Sequence, residues 1–125
     1  MTPDNQPMME KQIFTYEAPW LVYSLAFSWR EQEEHRLAFG SLVEDVGNKI
    51  KIIKLDKESG NGGEFVEMCT FDHEYPATKV LWLPDKSTNN PDLLATSGDY
   101  MRLWEIDQTG KNASLKAVLN ENAQC

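Results

Sequence analysis

One stretch, residues 71–106, constrains the fold of this chain more than any other. Within it, the apolar run at residues 93–96 stops at Ser97-Gly98-Asp99, and residues 100–106 then alternate apolar and polar side chains. Alternation with a period of two predicts strands, and turn residues between two such runs predict an antiparallel hairpin. The stretch opens with Asp72-His73 and closes with Trp104-Glu105. It therefore predicts a small antiparallel sheet with a histidine at its start and a tryptophan near its end.

This order of features resembles one blade of a WD40-type β-propeller, a repeat of four strands in about 40–45 residues with a Gly-His-like start and a Trp-Asp-like end. In such blades a histidine, a turn aspartate, a serine or threonine and the closing tryptophan form a buried hydrogen-bond chain. Buried polar groups must be satisfied, so this chain of bonds would hold the inner turn against the third strand. The resemblance implies that the structural tetrad consists of His73, Ser97, Asp99 and Trp104.

A weaker copy of the same plan lies upstream. Strands are predicted over residues 20–27, 36–41, 49–55 and 64–71. Ile53 falls near the tryptophan position and no histidine precedes the inner strand, so we expect this blade to depend on apolar packing. A helix is the competing interpretation of residues 20–27, because that run is apolar on every side. Its aromatic and β-branched content and the preceding Pro19 favour a strand.

The predicted fold class is all-β, a WD40-type β-propeller fragment with about two four-stranded antiparallel blades and an N-terminal closure strand. The predicted divisions are a disordered N-terminus (1–11), a closure strand and first blade (12–71), a second blade (72–120) and a truncated tail (121–125). The closure strand is predicted at residues 12–16, the place where closed propellers supply the outer strand of their last blade. Repeat units depend on their neighbours and about three are needed, so we expect the isolated chain to self-associate.

A closer resemblance comes from blocks that lie in loops and turns as well as strands. The chain resembles the start of the Anthocyanin-11 and Transparent Testa Glabra family of WD40 scaffold proteins over residues 12–120. Members are single propellers of about seven blades, of which this length supplies about two. The resemblance implies protein partners, either kinases of the dual-specificity tyrosine-regulated type or MYB and bHLH transcription regulators. The blocks are residues 16–20, 40–45, 70–79 and 91–99.

The charge of the chain limits its partners and its location. A formal net charge of −8 argues against direct binding of nucleic acid, which requires a basic face. No apolar segment reaches membrane-spanning length and residues 1–10 are polar, so neither a membrane span nor a secretory signal is expected. The two cysteines are too few for a disulfide framework. We therefore expect a protein of the cytoplasm and nucleus.

Metal binding and catalysis are not expected. Cys69 and His73 are four residues apart, but a structural zinc site needs four ligands and His35 is the only other histidine. Cys69, Ser97, His73 and Asp99 offer the composition of a Cys-His or Ser-His-Asp site, yet blade structure explains the same residues. The prediction is thus a protein that is not an enzyme, with no catalytic residues, metal or cofactor.

A protein-binding surface remains. Aromatic side chains provide contact area at low entropic cost, and neighbouring carboxylates attract arginine or lysine on a partner. The leading function is a non-catalytic WD40 scaffold that brings together kinases or transcription regulators. Two alternatives are a non-functional truncated product and a substrate receptor of a cullin-RING ubiquitin ligase, although residues 104–107 lack the arginine of the Trp-Asp-x-Arg motif usual in such receptors. The candidate protein-binding residues are Trp20, Glu44, Asp45, Glu74 and Tyr75.

Overall fold

The structure is a computed structural model that describes residues 12–33, 35–44, 47–60, 62–85 and 89–119. The predicted disordered N-terminus at residues 1–11 and the predicted tail at residues 121–125 lie outside the described residues.

The first half of the described chain forms one antiparallel sheet in the order β1-β2-β3-β4. A short 3-10 helix, Glu31–Glu33, lies between the first two strands. The run predicted as either strand or helix is a strand, which begins two residues later than predicted. The strands are β1 (Val22–Phe27), β2 (Arg36–Ser41), β3 (Asn48–Asp56) and β4 (Glu64–His73).

The second half repeats the arrangement in the order β5-β6-β7-β8. Every neighbouring pair in both sheets is antiparallel, so the predicted all-β architecture of two four-stranded blades is confirmed. The strands are β5 (Lys79–Trp82), β6 (Asp92–Ser97), β7 (Met101–Ile106) and β8 (Ala113–Leu119).

The main core lies between the two sheets. Side chains of the first sheet, including Ile50 and Ile52, are buried together with Trp82 and Leu94 of the second sheet. Two hydrogen bonds connect β1 to the second half of the chain. Trp82 Nε1 donates to the Ala26 carbonyl at 3.0 Å, and Ser24 Oγ donates to the Ala77 carbonyl, between β4 and β5, at 2.7 Å. The first strands of the two sheets, β1 and β5, therefore lie against each other.

A buried ion pair joins the sheets at the other end of the interface. The guanidinium of Arg36 donates two hydrogen bonds to the Asp92 carboxylate, at 2.7 and 2.9 Å. It also lies 4.0 Å from the centre of the Trp82 ring, and only 2% of the arginine side chain is exposed. Arg30 approaches the same carboxylate at 3.3 Å. The cluster connects the start of β2 to the start of β6.

The predicted closure strand at residues 12–16 carries no strand pairing in the structure. A strand needs the edge of another strand, and neither edge of the two sheets pairs with this segment. The segment instead leads onto the outer face of the first sheet, where the rings of Tyr16 and Trp20 lie 5.8 and 5.5 Å from that of Phe39. The Tyr16 hydroxyl donates to Glu67 at 2.6 Å, and Lys51 pairs with the same carboxylate. Closure of a further blade by this segment stays a prediction.

Candidate functional site

The best-defined polar site is a chain of hydrogen bonds buried at the junction of the sheets. His73 is the last residue of β4, and its Nε2 lies 2.8 Å from Thr96 Oγ1 in β6. Trp104 Nε1, in β7, donates to the same hydroxyl at 3.0 Å. The other ring nitrogen of the histidine, Nδ1, lies 2.6 Å from the Tyr75 carbonyl. We call His73, Thr96 and Trp104 the relay.

The acceptors in the relay fix its proton positions. A carbonyl only accepts, so the proton between His73 and Tyr75 must be on Nδ1. In the neutral ring Nε2 then accepts from the Thr96 hydroxyl, whose oxygen in turn accepts from the Trp104 N–H. With a neutral imidazole that carries its proton on Nδ1, every polar hydrogen of the relay has an acceptor, whereas a charged ring would donate from both nitrogens and take away the acceptor of the Thr96 hydroxyl proton.

The environment of His73 also favours the neutral ring. Burial is the main cause that lowers its pKa below the usual 6.5, and the positive charge of Arg102 adds to the effect. The hydrogen bond to the Tyr75 carbonyl and the charge of Asp99 act in the opposite direction and are outweighed. Only 2% of the residue is exposed. The relay is thus a buried structural element that a substrate cannot reach.

The relay corrects one predicted member of the tetrad. The hydroxyl that joins histidine to tryptophan belongs to Thr96, whereas Ser97 contacts Thr78 at 3.1 Å between their hydroxyl oxygens. Successive side chains of a strand point to opposite faces, so Ser97 cannot reach the face that Thr96 occupies. A count by twos from the apolar, buried Leu94 would have placed Thr96 on the core face.

Asp99, the predicted turn aspartate, lies beside the relay and is hydrogen-bonded elsewhere. Its carboxylate accepts two hydrogen bonds from the Arg102 guanidinium. These bonds are the main cause that lowers the pKa of Asp99 to about 2. The two ring nitrogens of His73 are hydrogen-bonded to Thr96 and to the Tyr75 carbonyl, and neither of these bonds involves Asp99. The structure therefore places Asp99 in the turn with Arg102.

A groove of about 320 Å³ opens above the relay, between the loops at one end of the two sheets. It is formed by the start of β1, the β2–β3 loop, the β4–β5 loop and the β6–β7 turn. Exposed aromatic and aliphatic side chains dominate its surface. We call it the inter-sheet groove; it is lined by Tyr23, Leu42, Tyr75, Pro76, Thr78, Gly98 and Asp99.

The structure brings some of the predicted protein-binding residues to this groove and separates others from it. Tyr75 lines the groove, and the exposed Glu74 precedes it. Glu44 is exposed in the β2–β3 loop, two residues after a groove residue. Trp20 lies instead on the outer face of the first sheet, packed against Phe39. Asp45 lies outside the described residues.

The groove residues Tyr23 and Leu42 were not predicted. Tyr23 belongs to a strand and Leu42 directly follows one, so a reading of single strands gives no reason to separate them from ordinary sheet residues. They become groove residues only because β1 lies against the β4–β5 loop, as shown by the hydrogen bond from Ser24 Oγ to the Ala77 carbonyl at 2.7 Å. This contact joins segments that are distant along the chain, so the local sequence around each residue gives no sign of it.

Other chemistry is not assembled in the part of the chain that the structure describes. No group of three or more His, Cys, Asp or Glu residues there is placed to hold a metal ion. Cys69 lies in the main core, and burial raises the pKa of its thiol, which disfavours the nucleophilic thiolate. Among the same residues, no helix has the length and apolar character needed to cross a membrane.

The two four-stranded antiparallel sheets are consistent with a fragment of a WD40-type β-propeller. Over 112 residues, 90% of this chain, the sequence is 46% identical to the DDB1- and CUL4-associated factor 7 homolog of Dictyostelium discoideum. Over 103 residues, 78% of the chain, it is 36% identical to an uncharacterized WD repeat-containing protein of Schizosaccharomyces pombe. The chain spans 34% of the first relative and 23% of the second.

These relatives correct the resemblance drawn from the sequence. The assignment to the Anthocyanin-11 and Transparent Testa Glabra family is wrong, because the relative that is 46% identical is a DDB1- and CUL4-associated factor 7 homolog and neither relative supports that family. The WD-repeat class itself is supported by both. No family model matches the chain, and no solved structure matches it.

Proposed function

We propose that this chain is a non-catalytic protein-interaction part of a WD40 substrate receptor that works with a CUL4–DDB1 ubiquitin ligase. The observation that carries the proposal is the 46% identity, over 90% of the chain, to a DDB1- and CUL4-associated factor 7 homolog. The alternative function predicted from sequence is thereby favoured over the kinase or transcription-regulator scaffold. The chain spans a third of that relative, 34%, so the role is proposed for the assembly to which these two sheets contribute.

The geometry supports a binding function rather than a catalytic one. The polar groups that could do chemistry, His73 and Thr96, are 2% and 1% exposed and use their polar atoms within the relay. The groups that remain accessible at the loops include aromatic and acidic side chains, which suit contact with another protein. A protein that recruits substrates to a ligase needs such a surface and no reaction centre of its own.

A tagged form of the protein, expressed from its own gene, tests the proposal. We expect it to co-purify with DDB1 and CUL4, and to bind purified DDB1 in a binary assay. A parallel capture with a kinase of the dual-specificity tyrosine-regulated type, and with MYB and bHLH regulators, tests the partners first predicted from sequence. A folded protein that binds such a kinase and shows no binding to DDB1 would contradict the proposal.

The location follows from the same role. We propose that the protein is present in the cytoplasm and nucleus, where ubiquitin ligases meet their substrates. Imaging of a fluorescent fusion expressed at its natural level tests this, and confinement to a membrane-bound compartment would contradict it.

A further inference from the structure

We propose that the inter-sheet groove binds an extended protein segment in which an apolar side chain stands next to a lysine or arginine. The inference rests on the proposed function, because a substrate receptor must recognise its substrate, and it specifies the chemistry of that recognition. In the part of the chain that the structure describes, the groove residues belong to the two sheets and to the loops that connect their strands.

The groove provides an apolar surface of a size that suits one large side chain. Three of its side chains, Tyr23, Leu42 and Tyr75, are 48%, 41% and 45% exposed. Large apolar side chains that stay exposed together mark contact sites, and tyrosine provides contact area with few torsions to immobilise. A volume of about 320 Å³ is at the lower end of the range for ligand sites. The inter-sheet groove therefore accommodates one large apolar or aromatic side chain of a partner.

The charges at its rim select a cationic neighbour for that side chain. Glu74 and Glu44 are exposed, whereas the nearby Arg102 is engaged with Asp99 through two hydrogen bonds. The positive charge of Lys49 is likewise offset by Asp72. The exposed Lys79, which directly follows the groove residue Thr78, offsets one of the two glutamates. One negative charge thus remains in excess around the groove, and a complementary partner carries lysine or arginine.

The backbone of the groove is held in place before any partner arrives. The β4–β5 loop is fixed by hydrogen bonds to the Tyr75 carbonyl from His73 and to the Ala77 carbonyl from Ser24. At Gly98 the turn approaches this loop so closely that an added Cβ would lie 2.8 Å from the Pro76 carbonyl oxygen. A preorganised loop loses little conformational freedom on binding, which favours affinity for a short segment.

A random dodecapeptide library displayed on phage tests the proposal against the full chain. The library is depleted on the Tyr75→Ala variant and then selected on the wild-type protein, and enriched peptides are synthesised and measured by fluorescence polarisation. We expect enriched peptides to place a lysine or arginine beside an apolar residue. Their affinity should fall about fivefold or more with Tyr75→Ala and about threefold with Glu74→Gln.

Matched controls separate the groove from general attraction to an acidic protein. Tyr100→Ala removes a tyrosine of similar exposure, 44%, at the same end of the sheets but outside the groove lining. Glu58→Gln removes the same charge at the β3–β4 turn. Both controls should bind the peptides as wild type does. Equal loss in controls and groove variants, enrichment of acidic or purely polar peptides, or no enrichment at all would overturn the proposal.

The same variants distinguish this proposal from the proposed function. If Tyr75→Ala loses the peptides and still binds DDB1, both proposals stand. If wild type binds the peptides and not DDB1, the groove stands and the ligase role fails; if it binds DDB1 and no peptide, the groove fails alone.

Discussion

His73 Nε2 and Thr96 Oγ1 lie 2.8 Å apart, although the residues are 23 positions apart in sequence and belong to different sheets. His73 is paired along the backbone with Asn48 of the first sheet, while its imidazole bonds to the second. The backbone of His73 thus belongs to the first sheet, and its side chain connects that sheet to the second. This bond also sets the position of Tyr75, whose carbonyl takes the other ring proton.

We predict that His73 and Thr96 are energetically coupled. A double-mutant cycle with His73→Ala and Thr96→Val should give an interaction energy of about 0.5–3 kcal/mol, because the two residues belong to one hydrogen-bond network. The same cycle with His73→Ala and Ser97→Ala should be additive within about 0.5 kcal/mol, because Ser97 bonds to Thr78 instead. Urea unfolding measures both cycles. Coupling to Ser97 and not to Thr96 would contradict the relay.

We predict a loss of stability on mild acidification that depends on His73. Its pKa is lowered in the folded protein, mainly by burial, so the unfolded chain takes up a proton first as the pH falls. The free energy of unfolding should be at its full value above pH 6.5, the usual pKa. It should decrease as the pH drops from there towards the folded pKa.

The control for this pH dependence is His73→Gln, which keeps a polar side chain and cannot titrate. Its free energy of unfolding, measured by urea denaturation at pH 7.5 and pH 5.5, should change less than that of wild type. An equal change in the two proteins would show that other groups cause the pH dependence.

Asp92→Ala should be strongly destabilising. It removes the carboxylate that accepts two hydrogen bonds from the buried Arg36 and leaves that charge uncompensated, a loss that costs about 3–5 kcal/mol. The double variant Arg36→Met with Asp92→Leu should recover part of the stability, because apolar residues can replace a buried pair, whereas Arg30 still loses its contact with the carboxylate.

A surface ion pair provides the control for Asp92. Glu105→Ala breaks the pair with Lys116, whose side chains are 35% and 50% exposed, and should cost only about 0.2–1 kcal/mol. Urea unfolding compares the variants. A loss for Asp92→Ala no larger than for Glu105→Ala would show that the buried pair contributes little.

Gly98→Ala should destabilise the contact between the two loops. The new Cβ would meet a backbone oxygen, that of Pro76, at 2.8 Å, and overpacking of this kind costs about 1–3 kcal/mol. Gly40→Ala is the control, since the three atoms nearest to its new Cβ belong to side chains and the closest, Ile50 Cδ1, lies farther away, at 3.2 Å. Thermal unfolding should show the larger loss for Gly98→Ala. Equal losses would mean that the loop yields as easily as a side chain.

The 125-residue chain by itself should self-associate. Its outer sheet faces leave Leu25, Phe27 and Leu81 between 51% and 60% exposed, and such surfaces favour association. Size-exclusion chromatography with light scattering should give a mass above that of the monomer, and Leu25→Ser with Phe27→Ser should lower it. A sharp monomer with cooperative unfolding would show that the two sheets are self-sufficient.

The strands were predictable because their pattern is local. A few consecutive residues are enough to show the alternation along β7 and the turn at Gly98, and His73 indicates where the second blade begins. The relay contains His73 and Trp104 of the predicted tetrad, with Thr96 in place of Ser97, whereas Asp99 is bonded to Arg102 instead. A one-residue error moves a strand side chain to the opposite face, which is why Ser97 was chosen in place of Thr96.

The features between the sheets could not be predicted in this way. Arg36 and Asp92 are 56 positions apart, and each read alone is an ordinary charged residue at the start of a strand. Their pairing depends on how the sheets face each other, as does the meeting of Tyr23 with Tyr75 in one groove. Local periodicity carries no information about such long-range placement.

The hydrogen bond from Tyr16 to Glu67 spans 51 positions, whereas the strands of each sheet pair with their immediate neighbours along the chain. Contacts between near neighbours close small loops and form fast, and contacts of long sequence separation form later. We therefore expect the segment that contains Tyr16, although it precedes both sheets along the chain, to settle among the last parts during folding. Until then the outer face of the first sheet stays open, and a folding chain passes through an interval in which that face is available to whatever else is nearby.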